Sequence, residues 1–241
     1  MDAPFSNVYD DAARARSYAD LEFPGTYALA FRDIAALVRR HVHGTRALDF
    51  GCGTGRSSRF LRDLGLTVVG VDIATSMLEE ARRRDPAGDY RLVSAGDVGA
   101  VAGATFDLVF AAFTFDNIPT DVDKAWSLAG LRGLLGPAGR LIAIVSAPEI
   151  YVHEWVSFST KDFPANRRAG DGDRVQIVML DVPDRRPVDD VLCSDRRYRE
   201  LFTGAQLELL EMIRPLATGQ EPVRWVSETT VAPWSVYVLG S

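Results

Sequence analysis

The spacing of apolar residues changes along the chain. Residues 2–25 are polar with scattered aromatics (Phe5, Tyr9, Tyr18, Phe23), and 10–18 suits a short helix. Ala28, Phe31, Ala35, Val38 and Val42 then recur every three or four residues, as one stripe of an amphipathic helix does, and Gly44 supplies a stop. From residue 46 the texture alternates. Apolar runs at 46–50, 67–72, 90–93, 105–112 and 140–145 predict strands, and 56–64, 76–84 and 121–135 predict helices between them. Ser76 and Glu79 have the spacing of a capping box. Such alternation, with strands apolar throughout, indicates a parallel sheet covered by helices on both faces. Past residue 146 the pattern weakens. Residues 149–172 are aromatic and polar, 174–182 strand-like, 184–190 a solvated turn of mixed charge, 195–202 helical, and 207–213 and 235–239 late strands.

Composition narrows the class. The chain has 241 residues, 47 % of them hydrophobic and 25 % charged, which suits one sizeable globular domain. Its net charge of −6 is a poor match for a phosphate backbone and favours a small uncharged or cationic partner over nucleic acid. Cys52 and Cys193 make no disulfide framework, so a cytoplasmic location is expected. The first residues carry no leader-like apolar run, and no stretch has the ~18 apolar residues of a membrane helix.

The strongest chemical signal is the run Leu48-Asp49-Phe50-Gly51-Cys52-Gly53-Thr54-Gly55. A buried strand feeds a glycine turn that opens a helix, whose first N–H groups attract a carboxylate or phosphate. Asp72 closes the next strand 21 residues after Gly51, the separation expected of a carboxylate that grips ribose hydroxyls. Together these point to a nucleoside ligand. A dinucleotide fingerprint would place its third glycine where Arg56 stands, a bulky cation that close helix–strand packing resists.

The run LDFGCGTG resembles the first motif of the class I S-adenosylmethionine-dependent methyltransferases, and the similarity continues in register over roughly 45–145. Val69-Gly70-Val71-Asp72-Ile73 resembles the second motif. The resemblance implies that Asp72 accepts from the ribose hydroxyls and that Ile73 packs on the adenine. Ala95-Gly96-Asp97-Val98 resembles the third motif, with Asp97 accepting from the adenine amino group and Val98 lining the ring. Phe106-Asp107-Leu108-Val109 resembles the fourth strand, whose end (Ala111, Ala112, Phe113) approaches the methionine part. Leu134 to Leu141 resembles the turn before strand five. Asp49, Gly51, Cys52, Gly53, Gly55, Met77 and Gly96 complete the expected cofactor site. The implied fold is α/β and Rossmann-like: a largely parallel seven-stranded sheet with an antiparallel last strand and helices on both faces. One domain is expected, with an N-terminal lid and helix (1–44), a cofactor core (45–146), a substrate lid inserted after strand five (147–195), and C-terminal strands (196–241). The implied cofactor is S-adenosylmethionine, leaving as S-adenosylhomocysteine.

Methyl transfer from a sulfonium requires chiefly an aligned acceptor lone pair, and a base only where the acceptor must lose a proton. His153 is the candidate base, and Asp116 the candidate for orienting the acceptor. Tyr9, Tyr18, Asn117, Tyr151, Trp155, Trp225 and Trp234 are the candidate acceptor contacts, since aromatics flank an aromatic or heterocyclic acceptor. Asp116 and Asn117 supply two oxygen ligands without a third, so no metal is expected. The sequence therefore predicts methylation at N or O of a small molecule by a monomer or homodimer. An RNA or protein methyltransferase, a nicotinamide-dependent oxidoreductase and a non-catalytic cofactor-binding protein are the alternatives.

Overall fold

A computed structural model describes residues 11–241. Asp11 caps the first helix, α1 (Ala12–Ala19), by accepting from the N–H groups of Ala13 and Arg14 at 2.8 and 3.0 Å. The helix expected over 28–42 is two helices, α2 (Thr26–Arg32) and α3 (Ile34–His41). They break at Asp33, a weak helix former whose carboxylate pairs with Arg32. The buried face is Tyr27, Leu29, Ala30 and Phe31 of α2 with Ile34, Leu37 and Val38 of α3, so of the expected stripe only Phe31 and Val38 are buried and Ala28 is exposed.

The alternating region follows in the order β1 (Arg46–Phe50), α4 (Arg56–Asp63), β2 (Thr67–Asp72), α5 (Thr75–Arg84), β3 (Asp89–Leu92), β4 (Phe106–Ala112), α6 (Asp121–Gly133) and β5 (Leu135–Ser146). Three short strands, β6 (Phe158–Ser159), β7 (Arg174–Met179) and β8 (Val188–Val191), form a separate small sheet. The chain then returns through α7 (Asp195–Gly204), β9 (Glu208–Ile213) and β10 (Trp234–Gly240). The main sheet has seven strands in the order β3-β2-β1-β4-β5-β10-β9, with β10 antiparallel to both neighbours. The order reverses between β1 and β4, so a crevice opens beyond their carboxyl ends.

Successive strand residues fall on opposite faces of this sheet. Ala47, Leu108, Ile142 and Val236 pack with Leu29, Phe31, Ile34 and Leu37 of α2 and α3. Their neighbours Leu48, Val109, Ala143 and Tyr237 pack with Leu128 and Leu131 of α6 and Leu201 and Phe202 of α7. A buried carboxylate joins the outlying parts. Glu228 accepts from Thr26 Oγ1 (2.6 Å) and from the N–H groups of Val156 (2.8 Å), Val226 (2.9 Å) and Ser227 (3.0 Å). It thereby ties α2, the insertion and the approach to β10 together.

Two local expectations are corrected. The capping box at Ser76 does not set the start of α5. The helix begins at Thr75, and Asp72 Oδ1 accepts from Ala74 N–H (2.8 Å) just ahead of it. Residues 184–190 are not simply a solvated turn. Asp184 pairs with Arg186 at the surface, but Val188–Val191 is a strand and Asp190 is buried.

Candidate functional site

The glycine turn sits at the carboxyl end of β1. Gly51 and Gly55 have φ of +73° and +78°, in the left-handed region where a Cβ is disfavoured. Space forbids one as well: a Cβ on Gly51 would lie 2.3 Å from Thr114 Oγ1, and one on Gly55 2.4 Å from the Tyr90 hydroxyl. Thr114 Oγ1 in turn donates to Phe50 O at 2.8 Å, so the loop after β4 is latched to the end of β1. Asp49 lies behind the turn. Its Oδ2 accepts from Ser57 Oγ (2.7 Å) and Ser58 Oγ (2.6 Å), which pins the start of α4. Burial pushes its carboxyl up to about 6, with Ser58 and Ser57 pulling the other way.

In front of the turn is a cleft of about 690 Å³. Gly51, Cys52 and Gly53 line one end. Asp72 stands beside them, its Oδ2 accepting from Gly53 N–H at 2.8 Å. Thr54 also lines this end, and its buried hydroxyl has no partner among the described residues. The other end is an apolar slot. Ile73 (45 % exposed) and Trp126 (70 % exposed) are large apolar side chains that line the cleft, as Val98 and Met77 do. Asp97 borders the slot; its Oδ1 accepts from Gly99 N–H (2.7 Å), and Oδ2 stays able to accept from a ligand. Cys52 contributes only bulk, because burial and the nearby Asp72 and Asp49 push its thiol well above the ordinary range.

These residues fit a sulfonium nucleoside. An apolar slot suits a purine ring, carboxylates at its edges suit ribose hydroxyls and an exocyclic amine, and the glycine turn with the Thr54 hydroxyl suits an amino-acid tail.

At the β4 end the cleft meets a second, smaller space of about 50 Å³. Tyr18, Phe113 and Asn117 line both. Phe113 has φ +63°, rare for a bulky residue and worth ~1–3 kcal/mol of strain. Asp116, Tyr151, Asp190 and Trp234 line only the smaller space. Asp116 is 3 % exposed and accepts from Ser146 N–H at 3.0 and 3.2 Å through its two oxygens. Asp190 accepts from the Tyr151 hydroxyl at 3.0 Å. Burial raises both carboxyls, and the charge of Asp116 raises Asp190 further.

The expected site residues separate into those that line these spaces and those that do not. Gly51, Cys52, Gly53, Asp72, Ile73, Met77, Gly96, Asp97, Val98, Ala112 and Phe113 all line the cleft. Asp49 and Gly55 do not; they shape the turn from behind. His153, the expected base, lines neither space, and its ring lies 6.0 Å from that of Trp155. Trp155 is buried with its Nε1–H on Ile150 O (2.8 Å), and Trp225 donates to Glu221 (3.1 Å). Neither lines the cleft or the smaller space. Tyr9 lies outside the described residues. Among the described residues, no group of three or more His, Cys, Asp or Glu is placed to hold a metal ion.

Several lining residues lie outside the expected site, Trp126, Arg56 and Asp190 among them. Trp126 faces the slot from α6, and a one-turn spacing to Gly130 was its only signal. Arg56 looked like an obstacle at the third glycine position. Its guanidinium instead turns into a cage of Tyr18, Phe23, Tyr27, Phe31 and Phe113 at 5.0–6.0 Å, and donates to Glu22 O and the Tyr18 hydroxyl. Asp190 was hidden in a charged run and is discussed below.

Residues 48–143 match the family of methyltransferase domains. A malonyl-[acyl-carrier protein] O-methyltransferase of Enterobacter lignolyticus is 37 % identical over 110 residues, covering 44 % of this chain and 42 % of that one. A ubiquinone biosynthesis O-methyltransferase of Cereibacter sphaeroides is 33 % identical over 164 residues, covering 58 % and 64 %. The chain spans about half the length of the curated relatives it matches. The solved CcbJ methyltransferase of Streptomyces caelestis has the same fold, with a TM-score of 0.68 over 98 % of both chains at 20 % identity. In its motifs, sheet order and cleft the chain is similar to the class I S-adenosylmethionine-dependent methyltransferases.

Proposed function

We propose that the protein transfers the methyl group of S-adenosylmethionine, by in-line displacement, to a nitrogen or oxygen of a small aromatic or heterocyclic molecule. One observation carries this reading. The long cleft and the small aromatic-walled space share Tyr18, Phe113 and Asn117 at the end of β4, so a nucleoside in one and an acceptor in the other meet at that boundary. When bound, the sulfonium supplies an activated methyl group and a neutral thioether as its leaving group.

The chain's own residues then have distinct tasks. Asp72 and Asp97 accept from ribose and purine donors, Ile73, Val98 and Trp126 enclose the ring, and the turn 51–54 receives the amino-acid tail. Phe113, held at an unfavourable φ, sets the partition between the two spaces. Tyr18 and Arg56 fasten the N-terminal helices over that partition, and the enclosure excludes water. The curated relatives named above act on malonyl-[acyl-carrier protein] and in ubiquinone biosynthesis, which supports small or carrier-borne acceptors. Among the described residues no helix is long and apolar enough to cross a membrane.

The test is transfer of radiolabelled methyl from S-adenosylmethionine to a panel of small amines, phenols and carboxylates, with RNA and histone as controls. Label in a small acceptor is the expected outcome. Label confined to RNA or protein would contradict it.

A further inference from the structure

The smaller space has an unusual charge. Asp116 and Asp190 enter it from different parts of the fold, the turn after β4 and strand β8 of the inserted sheet. Among the described residues, their four oxygens receive hydrogen bonds of ordinary geometry from the Ser146 N–H, shared by both oxygens of Asp116, and from the Tyr151 hydroxyl on Asp190, and the Ser146 hydroxyl also faces Asp116. Lys124, fully buried on α6 with its ammonium donating to Ile118 O, offsets one of the two negative charges. Among the described residues no second cation faces the pair to balance the other. The hydroxyl of Tyr198, 1 % exposed, faces Asp116 yet has no hydrogen-bond partner of ordinary geometry among the described residues. An ionised carboxylate left uncompensated in such a place is costly; protonation relieves it, in keeping with the raised Asp190 carboxyl, and a ligand that brings positive charge can take that proton's place.

The remaining wall agrees. Tyr27, Phe113, Phe158 and Trp234 pack ring to ring at 4.7–6.0 Å around the same space. Their polar atoms are engaged elsewhere, Trp234 Nε1–H on Thr26 O (2.8 Å) and the Tyr27 hydroxyl on Met179 (3.3 Å). Aromatic faces beside carboxylates recognise an ammonium. The volume of about 50 Å³ admits a few heavy atoms, since a water-sized group takes ~10–15 Å³.

We propose that this space is an amine subsite, in which Asp116 and Asp190 bind the acceptor as its ammonium, remove one proton from it and present the nitrogen at the boundary with the cofactor cleft. The proposal rests on the methyltransferase reading above and names its acceptor class. The step balances. The ammonium N–H bond breaks and its proton passes to the carboxylate pair, leaving the nitrogen lone pair free. That pair forms the N–C bond to the methyl carbon while the C–S bond breaks, its electrons staying on sulfur. The positive charge lost by sulfur reappears on the methylated nitrogen. Proton transfer within the subsite needs no solvent, because lysine, two carboxylates and ammonium are together neutral before and after it. Burial keeps the carboxyls more basic than usual, which favours their role as acceptor. A hydroxyl acceptor brings no charge to match the second carboxylate, and an anionic one is repelled.

The test uses calorimetry on the full chain saturated with S-adenosylhomocysteine, with propylamine and propan-1-ol, each only about four heavy atoms, as matched probes that fit the volume. Propylamine is expected to bind about ten-fold tighter or more. Asp190→Asn should bring the two within about two-fold while affinity for S-adenosylhomocysteine holds. Equal binding of the two probes to the unmodified protein, or no binding of propylamine, overturns the amine subsite and needs no variant to fold. Failure of S-adenosylhomocysteine itself to bind undoes the methyltransferase reading instead, so the two failures are distinct.

Discussion

The two spaces that meet at Phe113 are built by opposite means. The cofactor cleft is made largely from backbone and from side chains close in sequence: a glycine turn, the end of the next strand and the loop after the third. Its polar contacts run to main-chain N–H groups, as Asp72 with Gly53 and Ala74 and Asp97 with Gly99 show. The smaller space, the proposed acceptor site, is made from side chains that the fold gathers from α1, α2, the β4 turn, the segment between β5 and α7, and β10. Its polarity resides in two buried carboxylates rather than in backbone. Backbone geometry specifies one ligand and tolerates little change. A side-chain box can be re-lined to take another acceptor on the same scaffold.

Substitutions should separate the two. Asp116→Asn is expected to lower turnover by ~10²–10⁴-fold, the scale of a lost proton acceptor, with S-adenosylhomocysteine affinity unchanged by calorimetry. A parallel loss of cofactor affinity would mean that the spaces are not independent. Asp72→Ala should do the reverse, weakening cofactor binding by about 1–3 kcal/mol, the scale of charge-assisted hydrogen bonds. Unchanged binding would remove Asp72 from the cleft's chemistry. Trp126→Ala should cost about 0.5–1.5 kcal/mol of nucleoside affinity through lost ring contact. An effect on the acceptor's KM instead would place Trp126 on the wrong side of the boundary.

Smaller effects test the frame around the spaces. The Asp49 carboxyl is raised to about 6 in the fold, above its unfolded value of 3.8, so the folded state binds the extra proton. Its favourable contribution is present below pH ~4 and is lost as pH rises through about 6. The difference in Tm between wild type and Asp49→Asn should therefore shift against the wild type across that window. A difference independent of pH would show an ordinary titration. His153→Ala should leave kcat within about two-fold, because the ring faces neither space. A large loss would restore it as a base.

The contrast also explains what the sequence disclosed. The five parallel strands, the glycine turn and Asp72 were legible because period, turn chemistry and fixed spacing are local properties. The break at Asp33 was not, since apolar residues recur at helical spacing on both sides of it, although the face that is buried, Leu29, Phe31, Ile34 and Leu37, is not the expected stripe. Asp190 sat in a run whose Asp184 and Arg186 do pair at the surface, and nothing local distinguishes the residue that turns inward. His153 was attractive for its chemistry alone, whereas burial beside the acceptor is a property of the assembled fold. Arg56 was misjudged because its five aromatic neighbours lie on segments up to 57 residues away, at Phe113.

The account stands on where the nucleoside lies. A crystal structure grown with S-adenosylhomocysteine should show the ribose hydroxyls on Asp72, the adenine between Ile73 and Trp126, and the sulfur at the Phe113 boundary facing Asp116 and Asp190. Electron density for the nucleoside elsewhere, or with its sulfur turned away from that boundary, would contradict it.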